Sequence, residues 1–197
     1  MAGKRVSAAE RRATIIEAGR SVFLESGYEG SRTSAIAKLA DVNEAVLYQH
    51  FASKYAIFEE AVIAPARQGL DSLADRTESL AEQKLSADDA VVALEQMWLA
   101  TMAEIGPLLS TALLSDRANG QQTYQSIVVP VLERVDAVMA TLIRDPQSRS
   151  SWTITRALFG ANLLLGLQGV LQPTEGQSID DLAEQVSGLL ITGLSAP

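Results

Sequence analysis

Apolar residues recur three and four positions apart along nearly the whole chain, and no stretch alternates apolar with polar residues as a half-buried strand would. That period lays one stripe of each segment along a single helix face. It predicts an all-α protein and leaves no room for sheet-based architectures. The chain has 197 residues, 47% of them hydrophobic and 20% charged, which is enough apolar mass for one large core or two small ones.

Capping residues and breakers divide the pattern into about nine to ten helices. Ser7 followed by Glu10 is a capping box, and the helix it opens carries Ile15, Ile16, Gly19, Val22 and Phe23 before Gly27, a natural C-cap. Short helices fit 32–40 and 44–50, with Asp41-Val42-Asn43 as the turn between them. Ser53 caps a fourth helix that reaches Pro65. Longer helices fit 66–82, 88–104, 107–116, 121–144, 149–171 and 179–194. Their boundaries are Ser86-Ala87-Asp88, Gly106-Pro107, Asn119-Gly120, Asp145-Pro146 and Pro173 to Ser178. Pro130 falls inside a helical pattern, where a kink is expected.

Composition excludes several classes of chemistry. The absence of cysteine removes disulfides, thiol catalysis and cysteine-held metals, and the single histidine, His50, cannot build a multi-histidine metal site. No cofactor and no metal are expected. Nor is an enzyme: no nucleophile partners His50, there is no phosphate loop, and the Glu-x-x-His pairs of helical di-iron bundles are missing. The basic start at Lys4 and Arg5 runs into Glu10, Arg11 and Arg12 instead of a signal-peptide core. The greasiest segment, 154–171, holds Arg156, Asn162 and Gln168, a poor membrane span. A cytoplasmic protein with no membrane partner is the expectation.

The net charge of -8 argues against a nucleic-acid partner until it is divided along the chain. Residues 1–58 carry eight Lys/Arg against six Asp/Glu, whereas residues 59–197 carry eight against eighteen. The acidity therefore lies beyond the short helices, and the segment that contains them is mildly basic.

Two short helices joined by a tight turn have the geometry of a helix-turn-helix, whose second helix enters the major groove. Ala37 is small enough for close packing, Val42 and Leu47 would hold the pair together, and Asn43 suits an N-cap. Asp41 stands where Gly is usual, and Asp tolerates left-handed backbone better than most residues. Glu44, Ala45, Val46, Tyr48, Gln49 and His50 are left on or near the outward face.

The run Gly27-Tyr28-Glu29-Gly30-Ser31, then Thr33, Ile36-Ala37, Val42, Leu47-Tyr48-Gln49-His50-Phe51 and Ser53-Lys54 resembles the signature of TetR-family transcriptional regulators. The likeness covers roughly residues 7–62. It implies a helix-turn-helix DNA-binding domain over 1–52, built from three helices, and a helical ligand-binding and dimerisation domain over 53–197. It also implies a homodimer on roughly palindromic operator DNA, a repressor released by a small-molecule effector. By position, Arg32, Thr33 and Ser34 would meet phosphates or bases from the start of the second helix. Asn43, Glu44, Ala45, Val46 and Gln49 would approach base edges, and Tyr48, His50 and Lys54 would contact phosphates. Lys4, Arg5, Arg11 and Arg12 would reach flanking backbone, although Arg11-Arg12 also fits a merely solvated helix face. Four residues depart from the family pattern: Arg32, Glu44, Ala45 and Tyr55. Glu44 fits two uses, accepting from a cytosine amino group or simply favouring the helix N-terminus.

Beyond residue 58, Trp98, Met102, Leu113, Tyr124, Trp152 and Phe159 are large side chains on predicted helices, with Asn162 and Gln168 as polar neighbours. They fit a plain hydrophobic core, or a pocket for an apolar or aromatic ligand with Asn162 orienting it. Ala157, Gly160, Ala161 and Leu164 on one helix, with Leu182, Val186, Leu189 and Leu190 on the next, are the expected dimer interface, two copies making a four-helix bundle. The alternatives are a dimeric helical interaction module with weakened DNA binding, suggested by Glu44, and a helical-bundle enzyme.

Overall fold

The computed structural model describes residues 7–142, 151–171 and 178–195. Lys4, Arg5, the Asp145-Pro146 boundary, most of the Pro173 to Ser178 boundary and the side chain of Leu190 lie outside what it describes. Among the described residues there are eight helices and no strand, as the periodicity predicts. They are α1 (Ala8–Gly30), α2 (Thr33–Leu39), α3 (Glu44–His50), α4 (54–81), α5 (Ala87–Leu113), α6 (117–142), α7 (Ser151–Leu171) and α8 (Ile179–Ser195).

The count falls short of nine to ten because two proline boundaries lie inside continuous helices. Pro65 has no N–H for the carbonyl of Ala61 four residues back. A π-helical turn over Glu59–Ile63 widens α4 just there, and Arg20 Nε donates to the Ala61 oxygen at 3.2 Å. Pro107 likewise sits within α5 without ending it. A second π-turn, Tyr124–Val128, interrupts α6 immediately before Pro130, where a kink is expected. Gly27 does leave helical geometry, at φ 67°, yet helical turns resume to Gly30.

The chain divides into two compact units. The first comprises residues up to Ala66 together with Leu108–Thr123. Its core holds Ile15, Phe23, Ile36, Leu47, Ile57 and Phe58, each fully buried. α1 lies against α2 and the start of α4, and a Cβ on Gly19 would stand only 2.7 Å from Ile57 Cγ2, so glycine permits that crossing. The second unit comprises Arg67–Pro107 and the chain from Tyr124 onward. There the 129–142 stretch of α6 packs on α7, with Thr155 donating to Asp136 at 3.2 Å. Arg134 on α6 is forked between Glu78 and Asp75 of α4, 2.8 and 2.6 Å away. A Cβ on Gly166 of α7 would lie 2.5 Å from the carbonyl carbon of Met102, so α7 meets the α5 backbone directly.

Candidate nucleic-acid interface

The turn between α2 and α3 is built by main-chain hydrogen bonds in a Schellman arrangement. Val42 N donates to Ala37 O at 2.9 Å, Asp41 N donates to Lys38 O at 3.3 Å, and Asp41 takes φ 52°. Asp41 thus occupies the left-handed position expected of it. Two residues on, Asn43 Oδ1 accepts from Val46 N at 2.9 Å and starts α3. Leu47 and Phe51 are buried beneath α3. Ala45, Glu44, Tyr48 and Gln49 are exposed, and Val46 and His50 are half-buried.

Side chains from α2 and α3 join into one polar surface. Thr33 Oγ1 donates to Glu44 Oε1 at 2.7 Å, and Tyr48 Oη donates to Thr33 Oγ1 at 3.3 Å. Arg32 and Ser34 are exposed beside them. Glu44 is therefore tethered by a hydroxyl and does not point freely outward. On the other side of α3, Arg11, Lys38, Asp41, Val42, Asn43 and Val46 line an open cleft of about 610 Å3. Lys38 was not singled out from sequence. Its signal was local: a basic residue in the last turn of α2, directly before the turn.

Two cations near α3 are turned inward. Arg12 Nη1 donates to the His50 carbonyl at 2.7 Å, its guanidinium lies 4.1 Å from the Phe51 ring centroid, and it also pairs with Glu60. Lys54 Nζ donates to Tyr28 O at 2.7 Å and Ser31 O at 3.2 Å, and lies 4.3 Å from the Tyr28 ring centroid. Two of its three N–H donors thus hold the α1–α2 connection. Tyr28 packs against Phe58 and Tyr55, with centroids 4.7 and 6.2 Å away, so Tyr55 has an aromatic packing role. Burial and the nearby Glu29 and Asp116 push the Tyr28 phenol up.

In the second unit, Trp98, Met102, Phe159 and Asn162 are buried. Tyr124 and Trp152 are half-buried, and Arg156 lies over the Trp152 ring at 5.7 Å. Half-buried Leu113 belongs to the first unit. Trp98 meets Phe159 edge to face at 6.3 Å, and its indole N–H donates to Thr77 Oγ1 at 3.3 Å. Beside this pair Asn162 Nδ2 donates to Glu95 Oε2 at 3.1 Å. Glu95 is only 1% exposed, and burial pushes its carboxyl up, partly offset by the Asn162 amide. Sequence reasoning missed Glu95. The clue was an acidic residue on the same helix stripe as Trp98, Leu99 and Met102.

Of the residues expected at a dimer interface, Ala157, Gly160, Ala161 and Leu164 are exposed along one face of α7, and Leu189 is exposed on α8. Leu182 and Val186 are half-buried. Among the described residues no three His, Cys, Asp or Glu side chains cluster as a metal site would require, and no helix is long and apolar enough to cross a membrane.

Residues 15–61 match the family model for bacterial regulatory proteins of the tetR family. The HTH-type transcriptional activator FasR of Mycolicibacterium smegmatis is 32% identical over 85 residues, covering 40% of this chain and 39% of FasR. The biofilm operon icaADBC HTH-type negative transcriptional regulator IcaR of Staphylococcus aureus is 42% identical over 48 residues, 24% of this chain and 26% of IcaR. The chain thus aligns with well under half the length of these relatives. The transcriptional regulator FadR of Bacillus subtilis, solved with stearoyl-CoA, shares the fold at TM-score 0.66 and 21% identity, covering 92% of this chain and 98% of FadR.

Proposed function

We propose that this chain is a TetR-family regulator, a reading that the family match over residues 15–61 supports, and that it is a homodimeric transcriptional repressor, cytoplasmic and without enzymatic activity, that leaves its operator when a small apolar or aromatic effector binds. In this reading residues 1–52 hold DNA and residues 53–197 dimerise and take the effector. The observation that carries it is the Schellman turn at Asp41 followed by Asn43-capped α3, which leaves Glu44, Ala45, Tyr48 and Gln49 exposed on one short helix. Gln49 is suited to adenine, and Ala45 and Val46 to a thymine methyl. Arg32, Ser34 and the third donor of Lys54 are suited to phosphate, as are Lys38 and Arg11 across the cleft. Tyr48, tied to Thr33, meets phosphate through its hydroxyl, and His50 lies at the C-terminal end of the same helix.

Release follows if the effector prefers a conformation in which the two recognition helices of the dimer no longer fit successive major grooves. The complex of FadR with stearoyl-CoA supports an effector with a large apolar part. A second reading, activation, is favoured by the match to FasR. It needs the same DNA-binding face and differs in where the operator lies relative to the promoter.

The test is fluorescence anisotropy with the DNA upstream of the gene, against a scrambled duplex, over a range of salt. Specific binding that weakens steeply with salt is expected. Equal binding to both duplexes overturns the proposal and favours an interaction module with a decayed DNA-binding face. Transcription in vitro from the bound promoter separates repression from activation.

A further inference from the structure

The second unit contains a polar cluster that hydrophobic packing does not explain. Glu95 on α5 is 1% exposed and Asn162 on α7 is 0% exposed. The amide of Asn162 donates to Glu95 Oε2 at 3.1 Å and to the Leu158 carbonyl at 3.1 Å. Both of its hydrogens are therefore spent, while its Oδ1 is buried with no hydrogen-bond partner among the described residues. What remains is an unmatched amide oxygen beside a carboxyl whose described hydrogen bond comes from a neutral group. A buried acceptor without a donor is costly, and a buried carboxylate without a cation more so.

Three residues further along α5, and three back along α7, stand Trp98 and Phe159, their rings edge to face with centroids 6.3 Å apart. Fully buried Met102 continues the α5 face by one more turn. The same two helices thus carry a layer of acceptors and, directly adjoining it, a layer of aromatic and thioether surface.

We infer that Glu95 and Asn162 form the polar end of an effector site for an apolar, aryl- or alkyl-bearing molecule whose head is a protonated nitrogen with N–H donors. One N–H meets the Glu95 carboxylate and a second meets Asn162 Oδ1. The positive charge compensates the buried carboxylate, and the Trp98 and Phe159 rings suit both the apolar body and the cation. An anionic head is rejected, because it would sit against like charge where little water screens it. The inference rests on the effector-responsive reading given above and sharpens it to a class of ligand.

Three probes with one ring system test it on the full-length protein: 1-naphthylmethylamine, 1-naphthalenemethanol and 1-naphthoate. Binding is followed by titration calorimetry and by the shift in Tm, and operator binding is recorded in parallel. The amine is expected to bind about tenfold or more tightly than the alcohol, with the carboxylate weakest, and to weaken operator binding. Glu95→Gln keeps the shape, removes the charge, and should bring the amine down to the alcohol. Asn162→Ser should weaken the amine as well. A carboxylate that binds as well as the amine overturns the inference, as does failure of any probe to bind, or an amine preference that survives Glu95→Gln. The ranking of the three probes on the unaltered protein decides the matter even where a variant fails to fold. Specific operator binding with no amine effect removes this inference alone. Loss of specific operator binding from the unaltered protein removes the regulator reading instead.

Discussion

Arg12 Nη1 donates to the carbonyl oxygen of His50 at 2.7 Å, joining the first turns of α1 to the last residue of α3. The carbonyl belongs to the negative end of the helix, and the guanidinium also covers the Phe51 ring at 4.1 Å. Arg12 therefore sets how α3 is presented and is not spent on phosphate. Arg12→Ala is expected to lower stability by about 1–2 kcal/mol, the scale of a charge-assisted hydrogen bond at a partly exposed site. DNA affinity should fall while the slope of log affinity against log salt stays unchanged. A slope smaller by about 0.9 would mean that Arg12 touches a phosphate after all.

Asp41 carries φ 52° with a Cβ, which costs less for Asp than for other non-glycine residues but is not free. Asp41→Gly is expected to leave urea stability unchanged or raise it by up to about 1 kcal/mol. Asp41→Val should lower it by about 1–2 kcal/mol, since a β-branched residue strains the Schellman turn. If the two variants unfold at the same urea concentration, the left-handed geometry is not held in solution.

Features closed by near neighbours were legible in the sequence. The Ser7–Glu10 box, the Asn43 cap and the left-handed Asp41 each depend on atoms within about one helical turn, so residue type and spacing suffice. The joins at Pro65 and Pro107 were not legible. A helix survives a proline when something distant satisfies the freed carbonyl, and Arg20 does so for Ala61 from 41 residues away. The tether of Glu44 to Thr33 across 11 residues, and the burial of Glu95 against α7, were hidden for the same reason. Lys54 was legible as important to the motif, but its inward hydrogen bonds to Tyr28 and Ser31 are tertiary.

The Glu44 tether makes a prediction about DNA. The carboxylate sits in the first turn of α3, held by Thr33 at 2.7 Å, on the face that the proposed DNA binding would turn to the groove. Toward phosphates it is repulsive, so Glu44→Gln should raise affinity for scrambled duplex by about three- to tenfold and leave stability nearly unchanged. If Glu44 reads a cytosine amino group, the same change lowers operator affinity and the ratio of specific to non-specific binding collapses. Anisotropy on both duplexes separates the two. Thr33→Val, which releases Glu44 without removing it, should change selectivity in the same experiment.

Glu95 governs a pH dependence. Burial raises its carboxyl above the ordinary range, and the unfolded chain returns it to that range. The folded state therefore holds the proton more tightly. Its contribution to stability is fully present below the ordinary glutamate range and is lost as pH rises through the raised folded value. Glu95→Gln has no proton to lose. The variant should gain in Tm relative to the unaltered protein at about pH 8, and the gain should shrink toward about pH 4. A difference in Tm that does not vary with pH would show that Glu95 titrates normally.

Leu164 and Leu189 are 65% and 75% exposed, and Ala157, Gly160 and Ala161 leave the same face of α7 open beside Leu164. A Cβ on Gly160 would meet nothing within 4 Å beyond its chain neighbours and the backbone of its own helix turns, which leaves room for a second helix to approach. Large exposed aliphatic side chains flanked by small residues suit a two-fold pairing of α7 and α8 with their copies. The unaltered protein should elute and sediment as a dimer. Leu164→Asp should be monomeric at micromolar concentration with its helical content and first-unit fold intact, because that side chain packs little within its own chain. Operator affinity should then fall by at least about tenfold, since one recognition helix no longer brings the other to the adjacent half-site. A Leu164→Asp protein that stays dimeric would move the interface off this face of α7.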